Sequence, residues 1–458
     1  MQNRDIRDSF NKIAPDENAK SRMLYNIANP KKKKRRITAY AAIGLTAAAC
    51  LLFLLTPLIS NNSTIAPHDC DITADASSPP IYTPTVIAGN LPMLDIEENY
   101  GGMGFEGYMA YDIAELDNGN PWTPDANITV MPVYRNPIVY DGTGFPLENM
   151  LTADDMLELA RSTAEKLGLA VESEQVYPSA EDIERMAEKG ATDIRNTQAY
   201  EATVNCGEFS VSVGSTGDVT LRFNYEDDRL IYQGLTPPAE YVPEPPDEYT
   251  MQKYPDSEEE YFRTTEQQLE YSETTRKNAE AVMPYLLDKY KTFVDLEEPK
   301  SALFGDYNIY AWRHFYYSAY EGKGSIEEQI VNYSFNTVYF EPSAEGHLYV
   351  ITRSKTDLSN KIGDYPIITA DAARKLLLEG RYVTTVPEEF PGGEYVAKVE
   401  LMYRSSRYDS TFFPYYRFLV ELPNVPKWSG LKNFGAYYVP AVEEKYISNM
   451  PKWEGQFN

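Results

Sequence analysis

Hydrophobic and polar positions divide the chain into one long apolar run and many short periodic segments. Residues 37–59 contain no charged side chain over 23 positions. A helix of that length, at about 1.5 Å per residue, reaches roughly 34 Å, which is enough to cross the hydrocarbon core of a bilayer. The run is also longer than the apolar part of a cleaved signal peptide. The pattern therefore predicts an uncleaved signal anchor with one transmembrane helix over residues 37–59.

Beyond residue 95 the periodicity is that of a folded region with helices and strands. Helices are predicted over residues 152–167, from Ser179, over 272–294 and over 369–379. Strands are predicted over residues 200–205, 208–213, 218–225, 307–317, 330–340, 347–352, 394–403, 415–422 and 436–442. The tetrapeptides at 151–154 (LTAD) and 368–371 (ITAD) each open a predicted helix with strands beyond it. This weak repeat favours two related modules.

These patterns predict the α+β fold class and six segments along the chain. The fold would comprise a short cytoplasmic helical segment, one transmembrane helix and two extracytoplasmic modules of antiparallel sheet plus helices. The segments are the cytoplasmic segment (1–36), the transmembrane helix (37–59), a stalk (60–95), module 1 (96–235), a proline-rich linker (236–257) and module 2 (258–458).

Charge gives the apolar run a direction. Residues 1–36 carry 11 Lys/Arg and 4 Asp/Glu, a net charge of +7, whereas the whole chain carries −27, which leaves −34 for the remainder. Because basic residues beside a span stay on the cytoplasmic side, the N-terminus is expected inside the cell and the C-terminal bulk outside. The acidic balance argues against a nucleic-acid partner. The topology determinants are Lys31, Lys32, Lys33, Lys34, Arg35 and Arg36.

The cytoplasmic segment shows two apolar stripes at helical spacing. Helices of about ten residues are marginal alone in water, so the stripes are expected to bind a partner as a helix binds in a groove. Docking on the membrane surface is the alternative. The stripes consist of Ile6, Phe10 and Ile13, followed by Ala19, Met23, Leu24 and Ile27.

The N-terminal layout resembles membrane-bound anti-sigma factors of Gram-positive bacteria. The resemblance rests on residues 6–27 (IRDSFNKIAPDENAKSRMLYNI), the basic block, one span and a large outer region, and it covers about 60 of 458 residues. It implies that the cytoplasmic segment binds a sigma factor or another regulator and that the outer region senses the envelope. The outer modules resemble PepSY-type domains. Residues 1–36 lack the His/Cys zinc signature of many anti-sigma domains, so binding would use the apolar stripes alone.

Cysteines and aromatic residues supply the remaining candidate sites. Cys70 and Cys206 both fall in the expected outer region, where a disulfide between them is permitted, and a free Cys70 is the alternative. The chain has 37 tyrosines, and aromatic side chains suit grooves for a cell-wall glycan or peptide. Packing between strands is the alternative explanation. The candidate groove residues are Tyr310, Trp312, Tyr316 and Tyr415.

No catalytic, metal or cofactor motif is found in the sequence, so we expect a protein that is not an enzyme and that carries no cofactor or metal. The leading hypothesis is a membrane-anchored signalling protein. The first alternative is an anchored extracellular binding or scaffold protein without a cytoplasmic partner. The second is an envelope hydrolase built on two convergent carboxylates, which acidic sequences can supply without a motif.

Overall fold

A computed structural model describes much of the region between residues 82 and 455. The described residues are 82, 91–97, 118–140, 145–190, 198–223, 225–226, 229–230, 283–307, 313–342, 348–384, 386–405, 409–425 and 432–455. The predicted cytoplasmic segment, transmembrane helix and proline-rich linker, and nearly all of the stalk, lie outside them. Among the described residues, none of the helices has the length and apolar character needed to cross a bilayer.

The described region is α+β, with mostly antiparallel sheets and few helices, which confirms the predicted fold class at that level. The helices are α1 (Ala153–Lys166), α2 (Ala180–Glu188), α3 (Lys291–Val294), α4 (Ile326–Phe335) and α5 (Ala370–Leu378). The strands are β1 (Val130–Arg135), β2 (Val139–Tyr140), β3 (Pro146–Glu148), β4 (Ser173–Tyr177), β5 (Glu201–Cys206), β6 (Phe209–Gly214), β7 (Val219–Phe223), β8 (Tyr225–Glu226), β9 (Arg229–Leu230), β10 (Pro299–Tyr307), β11 (Arg313–Glu321), β12 (Asn336–Pro342), β13 (Leu348–Lys355), β14 (Lys361–Pro366), β15 (Val383–Thr384), β16 (Val396–Tyr403), β17 (Thr411–Phe412), β18 (Pro414–Glu421) and β19 (Phe434–Pro440).

Three sheets and two small hairpins organise these strands. The largest sheet has the order β10-β11-β12-β13-β7-β6-β5-β4, and a four-stranded sheet has the order β15-β19-β18-β16. A three-stranded sheet has the order β14-β1-β17, and β2-β3 and β8-β9 form the hairpins. In the eight-stranded sheet, β7 pairs with β13, so strands from both predicted modules take part in it.

One face of the eight-stranded sheet carries the core, and the other carries hydroxyl groups. Apolar residues of β5, β6, β7, β12 and β13 pack against α1 and residues 283–294. Because successive side chains alternate between faces, the residues between them share the opposite face. On that face one cross-strand row runs through six consecutive strands, as Thr203, Ser212, Thr220, Thr352, Tyr339 and Ser318. We call this the hydroxyl face.

The predicted helix starts at Thr152, Ser179 and Thr369 are confirmed. Each of these side chains accepts a backbone N–H in the first turn of α1, α2 or α5. In α1 the Asp155 side chain completes a capping box with Thr152. Such caps satisfy N–H groups that have no partner within the helix. Glycines with positive φ, Gly168 and Gly380, follow α1 and α5, as left-handed helix ends require.

Two predicted strands are wrong. Residues 307–317 do not form one strand, because they run from the end of β10 into β11, which pair antiparallel with Tyr307 opposite Arg313. Residues 330–340 contain the end of α4 and the start of β12. The Ser325 cap, which forms a capping box with Glu328, starts α4. The buried apolar residues of α4 follow a sequence pattern that a buried strand can also show.

An extended segment, residues 91–97, is bound along the C-terminal part of the chain. The N–H of Leu94 donates to the Tyr446 carbonyl at 2.7 Å, and the N–H of Ser448 donates to the Leu94 carbonyl at 2.9 Å. The Asn449 side chain accepts from the Ile96 N–H and donates to the Ile96 carbonyl, both at 2.8 Å. Leu94 and Ile96 are each 3% exposed. Residues 91–95, which the prediction assigned to the end of the stalk, are therefore part of the folded core.

The four-stranded sheet contains a buried ion cluster. Glu400 accepts hydrogen bonds from the side chains of Asn118 at 2.7 Å and of Arg417, and Lys398 lies 3.0 Å from its carboxylate. Burial alone would raise the pKa of Glu400, but the charges of Arg417 and Lys398 outweigh burial and lower it to about 2. Removing one member of such a cluster is strongly destabilising, because it leaves an uncompensated buried charge.

We expect Arg417→Met to lower the free energy of unfolding by ~3–5 kcal/mol, because it leaves the buried Glu400 carboxylate without its main counter-charge. Urea unfolding at pH 7 measures the loss. The matched control is Arg381→Met, which breaks the more exposed pair with Glu444 and should cost about 1 kcal/mol or less.

The pH dependence of this loss has a defined sign. The pKa of Glu400 in the folded protein, about 2, lies below the value of ~4.3 expected in the unfolded chain. Its stabilising contribution is therefore present above pH ~4.3 and disappears as the pH falls through the folded pKa. The gap between wild type and Arg417→Met should narrow in acid, and a gap that widened in acid would contradict this assignment.

Candidate functional site

The predicted aromatic groove is not assembled by the described residues. Tyr310 and Trp312 lie outside the described ranges, and Tyr316 belongs to β11 opposite Phe304. Tyr415 is 2% exposed and stacks on Phe413 with ring centroids 4.7 Å apart. Burial raises the pKa of its hydroxyl. Tyr415 therefore packs against its neighbours in the sheet, as the alternative to a ligand groove predicts.

Of the two predicted disulfide partners, the structure describes Cys206 and not Cys70. Cys206, at the end of β5, is a buried free cysteine, and burial raises the pKa of its thiol. Cys70 lies outside the described residues. The cytoplasmic stripe residues and the basic block also lie outside them, so their roles stay predictions.

At one end of the strand order of the eight-stranded sheet lies β4, an exposed strand. It pairs with β5 on one side, and within the described ranges no strand pairs with its other side. Four of its five residues are exposed, and Val176 is half-buried. Val171, just before the strand, is 41% exposed, and Tyr177, at its end, is 38% exposed. We call residues 171–177 the β4 edge.

An aromatic cluster stands at the C-terminal end of the β4 edge. The Tyr200 ring lies edge-on to Tyr177, with centroids 5.3 Å apart, and to Phe145 at 6.0 Å. These three residues, Phe145, Tyr177 and Tyr200, form the Tyr177 patch. Exposed apolar surface of this kind marks a binding surface more often than an isolated exposed residue does.

Glu201 adds a charged group beside the patch. It lies directly opposite Tyr177 in the β4-β5 pair, on the hydroxyl face. Burial raises the pKa of Glu201, against the opposing effects of Arg222 and of a hydrogen bond with Thr203. The folded protein therefore holds this carboxylate where its charged form is disfavoured. Perturbed titratable groups are enriched at functional sites.

Acidic residues surround the β4 edge. Glu172 and Glu174 lie within it, and Arg161 of α1 forms a bidentate contact with Glu174. Asp154 and Glu158 interact with the same arginine. The segment 153–190, which contains α1, β4 and α2, has ten Asp/Glu and four Lys/Arg. The edge thus combines exposed backbone, an aromatic patch and negative potential.

This arrangement offers groups that can bind an extended chain. In the ranges the structure covers, no group of three or more His, Cys, Asp or Glu side chains could hold a metal ion. An edge strand with exposed N–H and C=O groups can pair with an additional extended chain. Sequence reasoning missed this site because β4 has only five residues, which alternate weakly. Residues 171–177 carry no sequence signal for an edge position, because that position depends on the order of strands in the sheet.

Comparison with known proteins adds no assignment to this geometry. No protein-family model, curated protein or solved structure matches the chain.

We expect Glu201→Gln to stabilise the folded protein at neutral pH, by on the order of 0.5 kcal/mol. The folded pKa of Glu201 is raised, so its ionised form opposes folding once the pH exceeds the unfolded pKa of ~4.3. Thermal unfolding at pH 7 should show the gain, and at pH 3 the two proteins should unfold alike. Glu184→Gln, on exposed α2, is the matched control with no expected effect. A destabilised Glu201→Gln protein at pH 7 would contradict the sign.

Proposed function

We propose that the chain is a single-pass membrane-anchored signalling protein, with an anti-sigma-like cytoplasmic segment coupled to an outer region that binds an envelope ligand. One observation carries the proposal: residues 37–59 are uncharged and separate a segment of net charge +7 from a remainder of −34. A span flanked in this way would keep the apolar stripes of residues 1–36 in the cytoplasm and the acidic α+β region outside the cell.

The structure supports the outer half of this proposal at two points. The segment 91–97 is hydrogen-bonded to residues 446–449, so the end of the predicted stalk, residues 91–95, belongs to the folded region. The β4 edge and the Tyr177 patch offer an exposed binding surface. The cell-wall glycan or peptide predicted as ligand would meet this surface, and the second candidate, an anchored binding protein without a cytoplasmic partner, shares it.

We expect protease added to intact cells to remove a C-terminal epitope tag from the full-length protein and to spare an N-terminal one. The reason is that the basic block holds residues 1–36 in the cytoplasm. Immunoblotting of both tags measures the orientation. Replacing all six residues of the block by Gln should produce a protease-resistant C-terminal population, whereas Lys445→Gln with Lys452→Gln, far from the span in sequence, should not. A wild-type C-terminus that stays protected would refute the proposal.

We expect Phe10→Asp to abolish capture of a cytoplasmic regulator by the full-length protein, with more than a tenfold drop in recovered partner. The change puts a charge at the centre of the first apolar stripe, where a partner groove would have to desolvate it. Crosslinking in native membranes followed by mass spectrometry measures the capture. Asn11→Asp adds the same charge outside the apolar stripe, about 100° from Phe10 around the predicted helix, and should leave capture intact.

The result also separates the two candidate functions. If the wild-type protein crosslinks only to lipid, and a deletion of residues 1–28 leaves every phenotype unchanged, the signalling proposal fails and the anchored binding protein remains.

A further inference from the structure

We propose that the β4 edge binds an extended cationic peptide, with alternating basic and apolar residues, as an added ninth strand of the eight-stranded sheet. This inference deepens the proposed function by naming the ligand class of its outer region. It concerns binding by the folded chain, so it can fail or hold independently of the membrane orientation.

The backbone of β4 supplies the binding groups. One side of β4 is paired with β5 over all five residues. Four of the five residues of β4 are exposed. In an antiparallel sheet, alternate residues of the outermost strand direct their N–H and C=O groups away from the sheet. The β4 edge, seven residues long, would accept a peptide of about 23 Å at ~3.3 Å per residue.

The side chains of the edge specify the two faces of that peptide. Residues 171, 173, 175 and 177 share one face, with Val171 and Tyr177 exposed at its two ends. Glu172 and Glu174 lie on the other face. A bound strand places its own alternate side chains beside these two sets. Apolar residues of the peptide would therefore contact Val171 and the Tyr177 patch, and basic residues would lie beside Glu172 and Glu174.

Charge complementarity selects a cationic partner over a second copy of this chain. The segment 153–190 has ten acidic and four basic residues, a net charge of −6, and this excess remains although Arg161 compensates Glu174. Two copies joined through their β4 edges would bring two negative surfaces together, which opposes association. A basic peptide gains attraction from the same surface. The edge also lacks the Lys and Pro residues within the strand that protect many edge strands from pairing.

The test is a titration of the purified full-length protein, in detergent, with a labelled peptide alternating Lys and Val (KVKVKVK). Fluorescence anisotropy measures binding, and hydrogen exchange locates it. We expect saturable binding and slowed exchange of the backbone amides in residues 173–177. A peptide with Glu in place of Lys (EVEVEVE) and one interrupted by proline (KVKPKVK) should each bind at least tenfold more weakly.

Paired variants assign the binding to the edge. Glu172→Lys combined with Gln175→Lys should weaken binding of KVKVKVK at least tenfold, because it reverses the local charge and places a lysine in the strand. Both positions are exposed, so folding should be retained, and circular dichroism checks this. Glu454→Lys, an exposed acid elsewhere in the chain, is the matched control and should bind as wild type.

Four results would overturn the inference. They are an absence of binding to the wild-type protein, equal binding of the proline-interrupted peptide, exchange protection outside residues 171–177, and a dimer in sedimentation with these amides protected in the absence of peptide. None of them bears on the protease test of orientation, so a failure here leaves the proposed function standing, and a failure there leaves the peptide site standing.

Discussion

The pairing of β7 with β13 is the interaction on which the described structure depends. Val219–Arg222 lies antiparallel to residues 350–353, although more than 120 residues separate the strands in sequence. On the core face this contact brings the residues around α1 and those of 283–294 into one cluster. On the hydroxyl face, Thr220 and Thr352 meet at 3.2 Å, and Ser354 donates to Asp218 at 2.6 Å. Apolar packing and polar pairing therefore reinforce the same register.

Local signals account for the parts of the fold that sequence predicts well. The caps at Thr152, Ser179 and Thr369 act within one turn of each helix, so their effect is visible in a window of four residues. The strands of the β5-β6-β7 meander are separated by short turns, at Gly207 and Gly217, whose positive φ suits glycine. A prediction made from such signals needs no knowledge of distant contacts, which is why these elements match the observed ones closely.

Long-range contacts decide the elements and the site that sequence misses. The run 307–317 is strand-like throughout, and only the pairing of Tyr307 with Arg313 shows that it turns back on itself. Tyr415 is a candidate groove residue by sequence, but its ring stacks on Phe413 and lies edge-on to Tyr438 within a buried cluster. The β4 edge is accessible because, among the described residues, no further strand follows β4 in the sheet order, a property that residues 173–177 alone do not contain.

The features of the β4 edge do not favour local stability, which supports a functional role for this edge. Most of the buried charge in the described region is neutralised, as in the Glu400 cluster, where three side chains contact one carboxylate. Glu201 instead keeps a raised pKa beside an exposed aromatic patch. Local rules of folding are commonly broken at functional sites, where the fold elsewhere compensates. A well-packed sheet with a satisfied ion cluster can tolerate one exposed, acidic and partly apolar edge, and a ligand that covers that edge would relieve its unfavourable exposure.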